Sequence, residues 1–464
     1  MLPRRALLSL LLLGCAASAV PAAADPPPAF VAAYFHVQGS LDGLQGAISC
    51  LVSPEGKHVY VAAKADDAIS EWSRNASTGA LTALGRVLGD SQDGGDVPNF
   101  DRPQVIAQSP DGLFLYAGVG NTTATSTSGL AIFQRDPDTG ALTYRGGVTD
   151  GQDGAVLARP FALEVSPDPN GSFVYAGDFS DAVEGGALNV FSRNASTGQL
   201  TRVQTLSHTP STVDGLDKVR WLALSPDGRS LYVSSHGNNA LGVYQIDAGT
   251  GMLTFAEALQ HGVSGVAGLV DPWGLQVSPD GAYVYVASHG SGLDGSVDVF
   301  ARDADTGELT PLDSIAQADV GFENPDDVAP SPDGLRVYVT AQGELGPYDG
   351  KLAVFSRDAG TGALALLGVL TDGTDGVEGL KGALAVAASA DGRSVYVASE
   401  QDEPASSMQT EKGALAAFST VPEPYATGVA ALVTLAQLSA SQSRGRRKTS
   451  YRRASGVPGS GRQS

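Results

Sequence analysis

The sequence predicts an all-β protein, a seven-bladed β-propeller of four-stranded antiparallel blades, and three observations carry that expectation. A Ser-Pro-Asp-Gly turn recurs seven times, starting at Ser53 (SPEG), Ser109, Ser166 (SPDPNG), Ser225, Ser278, Ser331 and Ser389 (SADG), at spacings of 56, 57, 59, 53, 53 and 58 residues. So regular a period of short strand-like runs marks radial sheet repeats, not stacked helices. The composition agrees, since 58 glycines and only 17% charged residues in 464 favour sheet and tight turns. Strand counting supplies the third observation: six units have four strand-like runs and the seventh has three.

Within a unit the elements follow in order. An inner strand runs into the turn, as in WLALSPDG, and a second strand leaves it, as in SLYVSS. A third, ALGVYQI, ends at DAGTG or RNASTG, where Asx side chains bond nearby backbone and Gly supplies positive φ. Asn75-Ala76-Ser77 and Asn194-Ala195-Ser196 are therefore read as turns. The fourth strand is MLTFAEAL, with counterparts ALTALGRV, ALTYRGGV, QLTRVQTL, ELTPLDSI and ALALLGVL. The seventh unit instead passes from GALAAFST straight into VPEP. An orphan segment, Phe30 to Gln38 (FVAAYFHVQ), stands where a fourth strand should, so it is expected to complete the last blade and cover its edge. The propeller domain is placed at residues 30–420.

The two ends read as addresses. Residues 1–24 carry Arg4 and Arg5, an apolar run from Ala6 to Val20, and Ala22, Ala23 and Ala24 before Asp25, the layout of a secretory signal. Its removal takes Cys15 and leaves Cys50 alone, so no internal disulfide is expected. Residues 421–448 hold VPEP, an apolar stretch from Tyr425 to Ala440, and Arg444, Arg446, Arg447 and Lys448. That order resembles the PEP-CTERM sorting signals of Gram-negative bacteria, which implies processing by an exosortase-like machinery; a disordered basic tail is the competing reading. Residues 449–464 are read as a disordered basic tail in either case. The whole chain carries a net charge of −21, which argues against nucleic acid as a partner. Export to the periplasm or cell surface follows as the expectation.

The repeated SPDG-x-x-VYVA, the xVFSRDAxTGxLT segment and the interblade DGxxGL resemble the YVTN and lactonase-type seven-bladed propellers, which include 6-phosphogluconolactonase-like and carboxymuconate-cyclising enzymes. The resemblance implies the fold over nearly the whole domain; the segments that carry it are structural, so activity rests on the site.

Loop lengths choose a face. Connections between strands one and two and between three and four are short, whereas GVGNTTATSTSG, GDFSDAVEGG and SEQDEPASSMQTEKG are long and lie at the other end. Binding residues collect on elaborated loops held by a rigid scaffold, so that mouth of the central channel is the expected site. Seven residues before each aligned Ser stand Gly46, Arg102, Arg159, Lys218, Asp271, Asn324 and Gly382. Three consecutive cations there, with Arg220 nearby, point to an anionic ligand; pairing with Asp101, Asp153 or Asp217 is the competing reading. Four residues after the Tyr of strand two stand Lys64, Gly120, Phe179, His236, His289, Gln342 and Glu400, and His208 and His261 lie in connections to the same sector. Glu164 is the single acid among the inner-strand letters AISCLV, QVIAQ, FALEV, RWLAL and WGLQV.

Two functions are expected from these residues. The first is an exported binding or scaffold module of the envelope, recognising an anionic small molecule, a saccharide or a protein with Arg102, Arg159, Lys218, Arg220 and His289. The alternative is a lactonase-like enzyme with Glu164 or His236 as general base. Lactonase propellers typically place His at the inner-strand starts, which this chain lacks. No cofactor is expected. No metal is expected either, because DSQDGGD, DGQDG and DGTDG lack the D-x-D-x-D-G order with a distal Glu.

Overall fold

The computed structural model describes residues 26–36, 43–89, 97–120, 128–179, 185–209, 214–291, 295–343, 349–400 and 413–421. The chain divides into two units, Met1–Thr420 and Val421–Ser464, and the second is described only at Val421. Residues 1–24, read as a secretory signal, the sorting segment beyond Val421 and the final tail lie outside the described residues.

Seven four-stranded antiparallel sheets form the first unit. Their inner strands are Ala47–Val52, Pro103–Gln108, Pro160–Val165, Val219–Leu224, Pro272–Val277, Pro325–Pro330 and Ala383–Ala388, and each neighbours the next around the ring, with the last against the first. The second strands are almost wholly buried, as in HVYVAA, FLYAGV and SVYVAS, because the packed faces of adjacent blades cover both sides. Fourth strands such as LTALGRVL are exposed through their middle, with the two end leucines buried.

The seventh sheet settles the strand count. Ala29–Phe35 pairs antiparallel with Ala414–Ser419, in a register from Ala29 opposite Ser419 to Phe35 opposite Ala414. Phe30 meets Phe418 edge-on at 5.7 Å, and the Tyr34 hydroxyl accepts the Leu81 N–H of blade one at 2.7 Å. The amino-terminal strand thus completes blade seven while touching blade one. It ends three residues earlier than the sequence had it, and Val37 and Gln38 lie outside the described residues.

The repeat itself is an interblade latch. An Arg at the end of strand three reaches back to the preceding blade, where its Nε donates to the strand-two Tyr hydroxyl and its terminal nitrogen meets the carboxylate of the SPDG turn. Arg302 does so with Tyr232 at 2.7 Å and Asp227 at 3.0 Å, and Arg357 with Tyr285 at 2.7 Å and Asp280 at 2.6 Å. Arg74 makes the same latch to Tyr396 and Asp391, binding blade one to blade seven across the closure. The Tyr hydroxyl donates onward to the Gly carbonyl of the next blade's TG turn, as Tyr396 does to Gly79 at 2.8 Å. These guanidiniums are buried, so each needs its whole set of acceptors.

Candidate functional site

The two rings of positions read from the repeat are bonded to each other. In every blade the backbone N–H four residues after the strand-two Tyr donates to the carbonyl seven residues before the aligned Ser: Phe179 to Arg159 at 2.8 Å, His236 to Lys218 at 3.2 Å, His289 to Asp271 at 2.9 Å, and likewise in the other four. The carbonyl residue has positive φ at Gly46, Arg102, Lys218, Asp271, Asn324 and Gly382. Gly, Asn and Asp adopt that conformation readily, whereas for Arg102 and Lys218 it costs about 1 kcal/mol. The backbone of this turn therefore explains part of the ring's composition, and the two cations are the departures from it.

At the long-loop mouth these turns surround a cavity of about 240 Å³. Arg102, Arg159, Arg220 and His236 converge on it. The Lys218 side chain is not among its lining residues, and His289 sits at its border, stacked on Trp273 with ring centroids 4.8 Å apart. Glu164 is elsewhere: it lines a second chamber, towards the short-turn end, so the two candidate bases are not brought together. Of the remaining histidines in this sector, His208 pairs with Asp214 at 2.8 Å and His261 meets the Gly268 carbonyl at 2.7 Å, both within their own loops.

The guanidiniums rest on aromatic shelves. Arg220 lies over Trp273 at 4.0 Å and over Phe161 at 4.9 Å, while Arg159 lies over Phe161 and Phe179 at 5.1 and 5.3 Å. Such contacts hold a cation in place without consuming its N–H donors. Arg220 is buried, 9% exposed, and makes no ion pair within 4.0 Å among the described residues. Burial pulls its pKa down to about 10, opposed by the more distant charges of Asp326 and Asp271. Arg102 keeps a buried Nε without an acceptor among the described residues. Lys64, by contrast, is neutralised by Glu400 across the blade-one to blade-seven boundary at 2.6 Å. The mouth is thus locally cationic in an acidic protein.

Asp271 organises the opposite wall. Its Oδ1 meets His236 Nδ1 and also accepts the Trp273 indole N–H at 3.0 Å, and its Oδ2 stands 3.9 Å from His289 Nδ1. A carboxylate on Nδ1 fixes the neutral tautomer that leaves Nε2 as acceptor. His236 is about one third exposed and lines the cavity, so Nε2 is available to a ligand. Burial lowers the pKa of His289, against the pull of Asp271, and keeps that ring neutral. Among the described residues no group of three His, Cys, Asp or Glu side chains could hold a metal.

Sequence reasoning missed Gln104, Phe161 and Trp273 as lining residues. The signal was present: side chains two residues apart share a strand face, and two positions after the first ring stand Ile48, Gln104, Phe161, Arg220, Trp273, Asp326 and Leu384, of which all but Asp326 line the cavity.

The architecture is that of a seven-bladed propeller with one cationic mouth, and the comparisons with known proteins refine the class. Residues 184–323 match the family model described as Lactonase, 7-bladed beta-propeller, a segment that includes Arg220, His236, Asp271 and Trp273. An uncharacterised protein of Lactococcus lactis subsp. cremoris (strain MG1363) is 29% identical over 150 residues, which are 32% of this chain and 40% of that protein. The periplasmic gluconolactonase of Pseudomonas aeruginosa superposes with a TM-score of 0.52 at 20% identity, covering 82% of this chain and 99% of its own. A candidate 6-phosphogluconolactonase of Bacteroides uniformis ATCC 8492 gives 0.52 at 20% identity over 72% of this chain and 88% of its own, and Kuenenia stuttgartiensis hydrazine synthase gives 0.51 at 17% over 79% and 96%. At these identities the structural likeness is one of fold, and that fold carries unlike chemistries.

Proposed function

We propose that this propeller hydrolyses a lactone bearing an anionic group, at the long-loop mouth of its channel. The observation that carries the reading is the His236–Asp271 pair opening onto a cavity where, among the described residues, Arg102 keeps a buried Nε without an acceptor and Arg220 makes no ion pair. The lactonase-type match over residues 184–323 supports it. In the reaction, His236 Nε2 takes a proton from water as the oxygen attacks the lactone carbonyl carbon. The ring C–O bond then breaks, and the departing ring oxygen takes that proton back, leaving a hydroxy acid. Asp271 positions the imidazole and stabilises its protonated form. The arginines hold the anionic group and the developing oxyanion.

Hydrolysis of glucono-δ-lactone and its 6-phosphate, followed by pH-stat and corrected for the uncatalysed rate, tests this. The wild-type chain is expected to turn over the phosphorylated lactone in preference, and His236→Ala to lower kcat about 100-fold or more. An active His236→Ala chain removes that residue from the chemistry. Retention of gluconate 6-phosphate with no turnover by the wild-type chain leaves the mouth a binding site, the role of an envelope module. Export is part of the same reading, supported by Arg4, Arg5 and the apolar run before Asp25; amino-terminal sequencing of secreted protein is expected to begin near Asp25.

A further inference from the structure

The channel holds a second chamber, of about 430 Å³, lined by the later residues of the inner strands and reaching Pro54 and Pro279 of the short turns. Its polar groups differ in kind from those of the mouth. No Lys, Arg or His lines it. Gln108 donates from Nε2 to the Gly112 carbonyl at 3.3 Å, but its Oε1 is buried with no partner. The amide of Gln276 and the indole N–H of Trp221 also line the chamber without a hydrogen-bond partner among the described residues, and Glu164 is met only by the backbone of Val165.

We propose that this chamber binds an uncharged polyhydroxylated ligand, a neutral sugar or polyol, separately from the anion site at the mouth. An anion finds no cation here, and burial keeps the Glu164 carboxyl protonated at neutral pH, with a pKa of about 8. The Cys50 thiol, pushed up to about 12 by burial, adds no charge. What remains is a set of two amides, the Glu164 carboxylic acid, an indole, and the carboxyl of Asp327, which accepts the Val328 and Val386 N–H groups and whose pKa is pushed up to about 7 by burial; together they donate to and accept from hydroxyls and repel an anion. A buried polar atom left unpaired, as Gln108 Oε1 is, costs enough to make its satisfaction by a ligand worthwhile, and the volume lies in the range of small-molecule pockets.

Titration of the full chain with D-glucose and with maltose, followed by calorimetry and by Trp fluorescence, tests the proposal. At least one of these sugars is expected to bind saturably. Gln276→Leu and Gln108→Leu are each expected to weaken that binding about tenfold, and His236→Ala at the mouth to leave it within about twofold. Thermal melts establish that each variant is folded, and Trp221→Phe replaces any that is not. Absence of saturable binding by both sugars overturns the proposal, as does binding that is lost in His236→Ala and kept in Gln276→Leu.

Discussion

Glu164 shows how far a single residue's sequence position can mislead. As the one acid among the inner-strand runs AISCLV, QVIAQ, FALEV, RWLAL and WGLQV it invited a catalytic role, yet it lies five residues beyond Arg159, about 16 Å at the rise of an extended chain. It therefore faces the short-turn chamber, whereas the first ring lies at the mouth. Its burial has a consequence for stability. The folded carboxyl titrates at about 8 against an ordinary 4.5, so between those values the folded chain holds a proton that the unfolded chain has released. Stability contributed by this group is thus full below pH 4.5 and falls as pH rises to 8. Glu164→Gln is expected to be more stabilising at pH 8 than at pH 5 by roughly 1–3 kcal/mol, discounted because the side chain is partly exposed. Urea denaturation of both chains at the two pH values measures it, and an equal difference at both refutes the assignment. The pairing of His236 with Asp271 was less legible, because sequence placed both in adjacent blades without giving the directions of their side chains.

At the scale of the element, the repeat was legible and its purpose was not. SPDG, VYVA and the Arg of FSR read as turn and strand letters, and the structure joins them across blades into the Arg–Tyr–Asp latch. Two boundaries lack the arginine: Ile246 stands in its place in blade four, and Thr420 in blade seven. Asp168 of blade three accepts from Ser172 in addition to the Ser166 hydroxyl bond that the latched turns also make. This contrast is testable. Arg302→Met leaves the Tyr232 hydroxyl and the Asp227 carboxylate without their cation and is expected to lower stability by about 3 kcal/mol or more. Ile246→Met, at the equivalent point without a latch, should cost less than about 1.5 kcal/mol. Equal losses in chemical denaturation contradict a latch. The Asp residues of the DG loops also have structural work: Asp150 accepts the Leu157 N–H at 2.7 Å, and Asp372 the Leu380 N–H at 2.9 Å.

For the whole molecule, the strand missing from blade seven was the most informative feature of the sequence, since a ring must close and only the amino-terminal segment could close it. Ring closure puts the seven inner-strand starts around one channel, and short turns at one end leave the elaborated loops at the other. The cationic mouth follows from three neighbouring blades contributing Arg102, Arg159 and Arg220 to the same opening. Its aromatic shelves were harder to foresee, because Phe161 and Trp273 read equally well as core letters. What distinguishes them is the two-residue stagger from the first ring, visible once the strand starts are fixed.

A crystal structure of the full chain soaked with gluconate 6-phosphate tests the placement of this site most directly. The expected result is density at the long-loop mouth, with the phosphate among Arg102, Arg159 and Arg220 and the carboxylate towards His236. Density confined to the outer rim or to the short-turn end, with the mouth holding only water, contradicts it.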